Sequence, residues 1–131
     1  MKFLILVLIL FSTTSLAFAD TGYVSAQISS DVHTLTVGKQ IMITADISNN
    51  QNTQQSFAYL TQVKDEHQAV ISLSWLTGSL SPSQSFSPAQ SWTPTESGLY
   101  VIEIFVWESI DNPEALSPPL SMTVTVVDPN T

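Results

Sequence analysis

The chain contains no cysteine and no arginine, and its only lysines are Lys2, Lys39 and Lys64. Without cysteine there is no disulfide, no thiolate metal ligand and no sulfur nucleophile, so the fold must hold by packing. A blue-copper centre, which needs one Cys beside two His, is excluded on the same ground. The shortage of cations removes two partner classes. All eleven Asp and Glu residues lie at or after Asp20, and the 131-residue chain has a formal net charge of −8. Gripping a row of phosphates, or an anionic bilayer, takes clustered Lys and Arg. No nucleic-acid partner is therefore expected. Charged residues amount to 11%, against about 25% in an average domain, so Ser, Thr, Gln and Asn must supply the polar surface. No Asn-x-Ser/Thr acceptor occurs.

The N-terminus has a clear order of parts. Met1-Lys2 gives a positive start, Phe3 to Phe11 is an unbroken apolar run, and Ala17-Phe18-Ala19 closes in small-x-small form. This order predicts a secretory signal peptide over residues 1–19, cleaved before Asp20, and a mature domain over 20–131. The apolar run falls short of the roughly 20 residues of a comfortable membrane span, although an uncleaved anchor extended through Phe18 stays open as the alternative. The expected location is secreted or cell envelope, with no membrane span after leader removal.

The mature region reads as strands throughout, because apolar residues recur at period two and turn residues punctuate at short intervals. The candidates are Tyr23–Ser29, Thr34–Val37, Gln40–Ser48, Ser56–Lys64, Ala69–Leu76, Ser85–Trp92, Leu99–Glu108 and Leu120–Val127. Seven or eight short strands predict an all-β, antiparallel sandwich in one domain. Ile41, Ile43, Ala45 and Ile47 share one face of their strand, as do Leu120, Met122, Val124 and Val126. Both faces are expected to turn to the core. Leu99–Glu108 is apolar on both sides, and Glu103 breaks the tie, since an unpaired carboxylate is rarely buried. Tyr100, Ile102, Ile104 and Val106 then face inward. Glu103, Phe105 and Trp107 face outward, as a possible interaction patch that is either exposed or covered by a neighbouring loop. Trp75 and Trp92 are core candidates. Gln84-Ser85-Phe86-Ser87-Pro88 is matched six residues later by Gln90-Ser91-Trp92-Thr93-Pro94, and Pro88 predicts an edge or a bulge.

The stretch Trp92-Thr93-Pro94-Thr95-Glu96-Ser97-Gly98-Leu99-Tyr100-Val101-Ile102 resembles the W-x-P-x-x-x-G-x-Y-x-I signature of secreted immunoglobulin-like and CARDB-like sandwich domains. With Phe105-Val106-Trp107-Glu108 and Asp111-Asn112-Pro113 after it, the segment is similar to small exported proteins of marine archaea. The resemblance implies an immunoglobulin-like β-sandwich on a cell surface. Gly98 can take positive φ in the turn, and Tyr100 is placed to return its hydroxyl to nearby backbone as a structural tyrosine corner.

Catalytic patterns are missing. His33 and His67 are the only imidazoles, and no Gly-x-Ser-x-Gly elbow accompanies them. Asp65-Glu66-His67 puts three possible zinc ligands in one loop, where a solvated hairpin tip is the plainer expectation. Asp111 and Glu114 lack the spaced acidic ladder of a calcium loop. Nothing places two carboxylates across a cleft for glycoside hydrolysis. The expectation is no enzyme, no metal and no cofactor. It is instead a non-catalytic extracellular module of the cell envelope or of protein interaction, meeting a protein or glycan at the cell surface. The alternative is a carbohydrate-binding module using surface aromatics. A third possibility is a partner-pairing edge strand at Ser85–Trp92.

Overall fold

The computed structural model describes residues 22–129, so the expected leader lies outside the described residues. Ten strands follow in order: β1 Val24–Ile28, β2 Thr34–Thr36, β3 Ile41–Asn49, β4 Gln55–Lys64, β5 Val70–Leu80, β6 Ser85–Phe86, β7 Ala89–Trp92, β8 Gly98–Ser109, β9 Asn112–Ala115 and β10 Leu120–Val127. In the smaller sheet, β3 pairs with β1 on one side and with β6 and β7 on the other. The larger sheet has the order β2-β10-β8-β4-β5, with β9 also paired to β8. The two sheets form an all-β immunoglobulin-like sandwich.

Alternation builds the layer between the sheets. On β3, Ile43, Ala45 and Ile47 are buried, and on β10 so are Val124 and Val126. Leu120 and Met122 pack against the same cluster from the rim. On β8, Tyr100, Ile102, Ile104 and Val106 point inward and are buried, while Val101, Glu103, Phe105 and Trp107 alternate outward and are only partly covered. At this position Glu103 separated the two faces correctly.

The structure departs from the sequence reading in five places. β2 runs parallel to β10, with Thr125 beside Thr34, although antiparallel pairing was expected throughout. The segment Ser85–Trp92 is two strands rather than one, because Pro88 lacks the N–H a continuous ladder needs. Between the expected strands Leu99–Glu108 and Leu120–Val127, where the sequence offered no strand, lies β9, whose Ala115 pairs with Trp107. β5 continues through Gly78 to Leu80 instead of stopping at Leu76. Its glycine is a close approach and not a turn: a Cβ there would stand 3.2 Å from the Phe57 ring. Trp75, expected in the core, is 56% exposed on the outer surface of the larger sheet. Leu76 and Leu80 are the residues of β5 that turn inward, and Trp75 has the opposite parity.

Two buried tyrosines differ in how their hydroxyls are served. Tyr100 donates to the Glu96 carbonyl at 2.7 Å, and its ring meets Trp92 edge-on at 5.3 Å. Gly98, at φ 149°, leads the chain into this corner. Tyr59 is fully buried, and its hydroxyl has only that of Thr61 beside it, in poor hydrogen-bond geometry. Burial pushes the pKa of both tyrosines up; for Tyr100 the nearby charges of Glu96, Asp65 and Glu66 add to it. Tyr100→Phe is expected to destabilise by about 1 kcal/mol, and Tyr59→Phe to change stability by less than about 0.5 kcal/mol, because only the first removes a well-formed bond. The unfolded phenols ionise near pH 10 while the folded ones hold their protons higher, so this stability is intact below about pH 10 and is lost as pH rises further. Urea titrations of both variants at neutral and alkaline pH check the signs.

Candidate functional site

The outer face of the larger sheet carries the densest set of side chains that neither packing in the core nor turn formation explains. Register fixes its rows. Phe105 of β8 stands opposite Leu60 of β4, and Leu60 opposite Trp75 of β5. One step along, Glu103, Gln62 and Leu73 form the next row, and then Val101, Lys64 and Val70. On the other side of Phe105, Trp107 faces Ala58, which faces Thr77. Residues in one row are direct cross-strand neighbours, and those two strands apart are separated by about 10 Å.

The rings cover this face unevenly. Ala58 and Leu60 point outward yet are 0% and 7% exposed. The small side chain of Ala58 and the central place of Leu60 let the flanking aromatics close over both. Phe105 and Trp107 lie 6.0 Å apart between centroids, tilted by 44°, and are half-buried. Trp107 has Ala58 and Ala115 as its strand partners. At the edge of the sheet Trp75 and Leu73 are each at least half exposed.

A polar row crosses this apolar ground. Glu103 Oε1 accepts a hydrogen bond from Gln62 Nε2 at 2.8 Å and lies 3.2 Å from Lys64 Nζ. The sheet holds the three in place, Gln62 directly across from Glu103 and Lys64 one pair further. The carboxylate is thereby neutralised in a partly desolvated setting, where such a pair is screened less than in open water. The resulting surface is aromatic and aliphatic, with a fixed donor-and-acceptor row and little net charge. That arrangement can stack on a flat apolar ligand face and hydrogen-bond its rim; among these side chains there is no poised nucleophile or base.

The other sequence candidates are dispersed. Asp65 closes the β4–β5 turn, its Oδ1 accepting from the backbone N–H of His67 at 2.8 Å and of Ala69 at 3.0 Å. The Ala69 bond first and the His67 bond second hold its carboxyl below the usual range. Asp65 thus serves the hairpin tip. Asp65, Glu66 and Glu96 ring a shallow depression above Tyr100 and Gly98, but no group of three or more His, Asp or Glu converges to hold a metal among the described residues. His33 is exposed and 3.2 Å from Asp31. Asp111 sits in the β8–β9 turn, and Glu114 donates its backbone N–H to Asn112 Oδ1 at 3.3 Å.

Of the outward residues, the sequence reading identified Glu103, Phe105 and Trp107, and it missed Gln62, Lys64, Leu73 and Trp75. The missed four lie on β4 and β5, where apolar residues occupy both faces and no lone carboxylate sets the phase. On β5 the alternation pointed the wrong way: Ser72 and Ser74 are interleaved with Ile71, Leu73 and Trp75, which by polar-out patterning would put the apolar set inward.

No family model matches the sequence, and no curated protein matches it. Solved structures do. A CARDB domain from Pyrococcus furiosus, determined in complex with di-metal ions, superposes with a TM-score of 0.63 at 20% identity, covering 87% of this chain and 98% of that one. The β-glucosidase of Listeria innocua superposes at 0.61 with 15% identity over 79% of this chain, which spans only 16% of the enzyme. An alkylpurine DNA glycosylase of Pseudomonas fluorescens gives 0.58 at 11% identity over 79% of this chain and 30% of that one. At these identities the likeness is one of architecture, and the chain has the CARDB-like immunoglobulin fold.

Proposed function

We propose that the chain is a non-catalytic contact module that works outside the cell and docks a protein of the cell envelope through the outer face of its larger sheet. The observation that carries this reading is the half-exposed pair Trp75 and Leu73, continuous with Phe105 and Trp107 across one sheet face. Exposed apolar patches with a polar seam are the usual mark of an interaction surface. The neutralised Glu103–Lys64 pair supports it too, since it spares a partner the cost of burying a lone charge. The extracellular setting rests on the sequence of residues 1–19. Sandwiches like this one form a minor part of chains as different as a β-glucosidase and a DNA glycosylase, which supports contact rather than chemistry as the role of the fold.

A second reading is favoured by the row Gln62–Glu103–Lys64 lying between aromatic rings. Sugars offer flat apolar faces to rings and hydroxyl rims to amides and carboxylates, so the same face suits a glycan. One experiment separates the two. Purified protein is titrated onto envelope fractions of its source cells, before and after protease treatment, and onto a glycan array. The double change Trp75→Ala with Trp107→Ala is expected to weaken binding at least tenfold, about 1.4 kcal/mol, with an unchanged circular dichroism spectrum. Protease-sensitive binding supports the protein partner, and array binding supports the glycan. Binding that the double variant leaves unaltered overturns both.

A further inference from the structure

We infer that β5 pairs edge to edge with β5 of a second copy of this chain, in an antiparallel two-fold arrangement that joins two large sheets into one. An unpaired sheet edge presents a row of open amide and carbonyl groups, and proteins blunt such edges with short strands, proline or charge. The other edges described here are blunted in those ways. β2 has three residues and β1 five. β6 and β7 are separated at Ser87-Pro88, and β9 has four residues including Pro113. β5 is the exception. It is held only by β4, runs eleven residues, and contains neither proline nor any charged residue. Its one irregularity falls beside Val70, which leaves Ser72 to Leu80 in unbroken register.

Charge selects the occupant. From Gln68 to Thr95 there is no Asp, Glu, Lys, Arg or His, in a chain whose net charge is −8. This uncharged stretch holds β5 together with β6 and β7, and β6 follows β5 through a turn in which Gln84 N–H donates to the Ser81 carbonyl at 3.0 Å. The edge of the larger sheet and that of the smaller sheet are therefore both neutral along one side of the sandwich. Two acidic copies repel one another elsewhere but can meet here with no like charges opposed. A basic or an acidic foreign strand would find no ionic partner on this edge. The strand also complements itself. A two-fold axis at Trp75 sets that residue against its counterpart and Leu73 against Thr77 on the outer face, and such an isologous contact closes as a dimer. Both Leu73 and Thr77 are exposed in the isolated chain.

The inference does not depend on what the outer face binds, and its test reads mass rather than ligand. Sedimentation of the purified protein should show twice the chain mass at about millimolar concentration in high salt, and weaker association in low salt as screening of the net negative charge is lost. The double variant Leu73→Lys with Thr77→Lys puts four cations across the seam at exposed positions, and is expected to weaken association at least tenfold while circular dichroism stays the same. Hydrogen exchange supplies a second readout. The amides of Ser72 to Leu80 that point away from β4, every second one, should gain protection with concentration, while those of β1 and β2 do not. A monomer at every concentration in high salt, or a dimer that the lysines leave intact, would overturn the inference.

Discussion

Asn49→Ala is expected to destabilise the protein by about 3 kcal/mol and to lower its thermal midpoint by more than about 10 °C, because it strips a buried hub of every side-chain bond it makes. Asn49 ends β3 and is 2% exposed. Its Nδ2 lies 2.8 Å from the Thr53 carbonyl, 3.0 Å from that of Ser81 and 3.2 Å from that of Leu80. Its Oδ1 accepts from the backbone N–H of Gln51 at 3.1 Å and from Gln51 Nε2 at 3.2 Å. The network fixes the amide orientation, since three carbonyls require the NH₂ end. One side chain thus ties the β3–β4 loop to the end of β5, in the other sheet. Alanine would leave these carbonyls short of a donor where water enters poorly. Asn49→Asp should be worse at neutral pH, because it aims a carboxylate at three oxygens. That variant should recover partly on acidification, when protonation restores one donor. Calorimetry of both variants across pH checks magnitude and sign, and a loss under about 1 kcal/mol for alanine would show that solvent reaches the site.

Ile102→Ala should cost about 2–5 kcal/mol, whereas Leu73→Ala should change stability by less than about 0.5 kcal/mol. Ile102 is fully buried at the centre of β8, between β4 and β10, where Val63 and Met122 are its strand partners. A cavity there has rigid sheet on both sides and little room to collapse. Leu73 is as apolar but lies on the outer face, so the contrast tests which apolar residues serve the fold and which are free for contact. Equal losses at the two positions would mean that the outer face is covered in solution.

Legibility from sequence tracked the presence of a phase marker. On β3 and β10, polar residues alternate with apolar ones, and the inward faces could be read directly. On β8, both faces are apolar, yet Glu103 sufficed to assign them, because its charge cannot be buried unpaired. On β5 no charged residue marks the phase between Val70 and Leu80, and Trp75 reads from sequence as a core candidate. A tryptophan is large enough to fill a core and amphipathic enough to stand at a surface, so its identity does not decide its side. The same gap hid the site. Gln62 and Lys64 become meaningful only when β4 is laid beside β8, forty-one residues away in sequence at Gln62 and Glu103.

Local chemistry in the chain determined the class of this protein. Period-two alternation, frequent turns and the missing cysteines specify a sandwich held by packing. Those properties are carried by single residues and their near neighbours, so they survive without knowledge of contacts. Strand order, the parallel seating of β2, the small strand β9 and the aromatic outer face were decided by tertiary structure, because each depends on which strand lies beside which. Pairing at that distance is chosen by the whole sandwich closing over its core, and no window of sequence contains that choice.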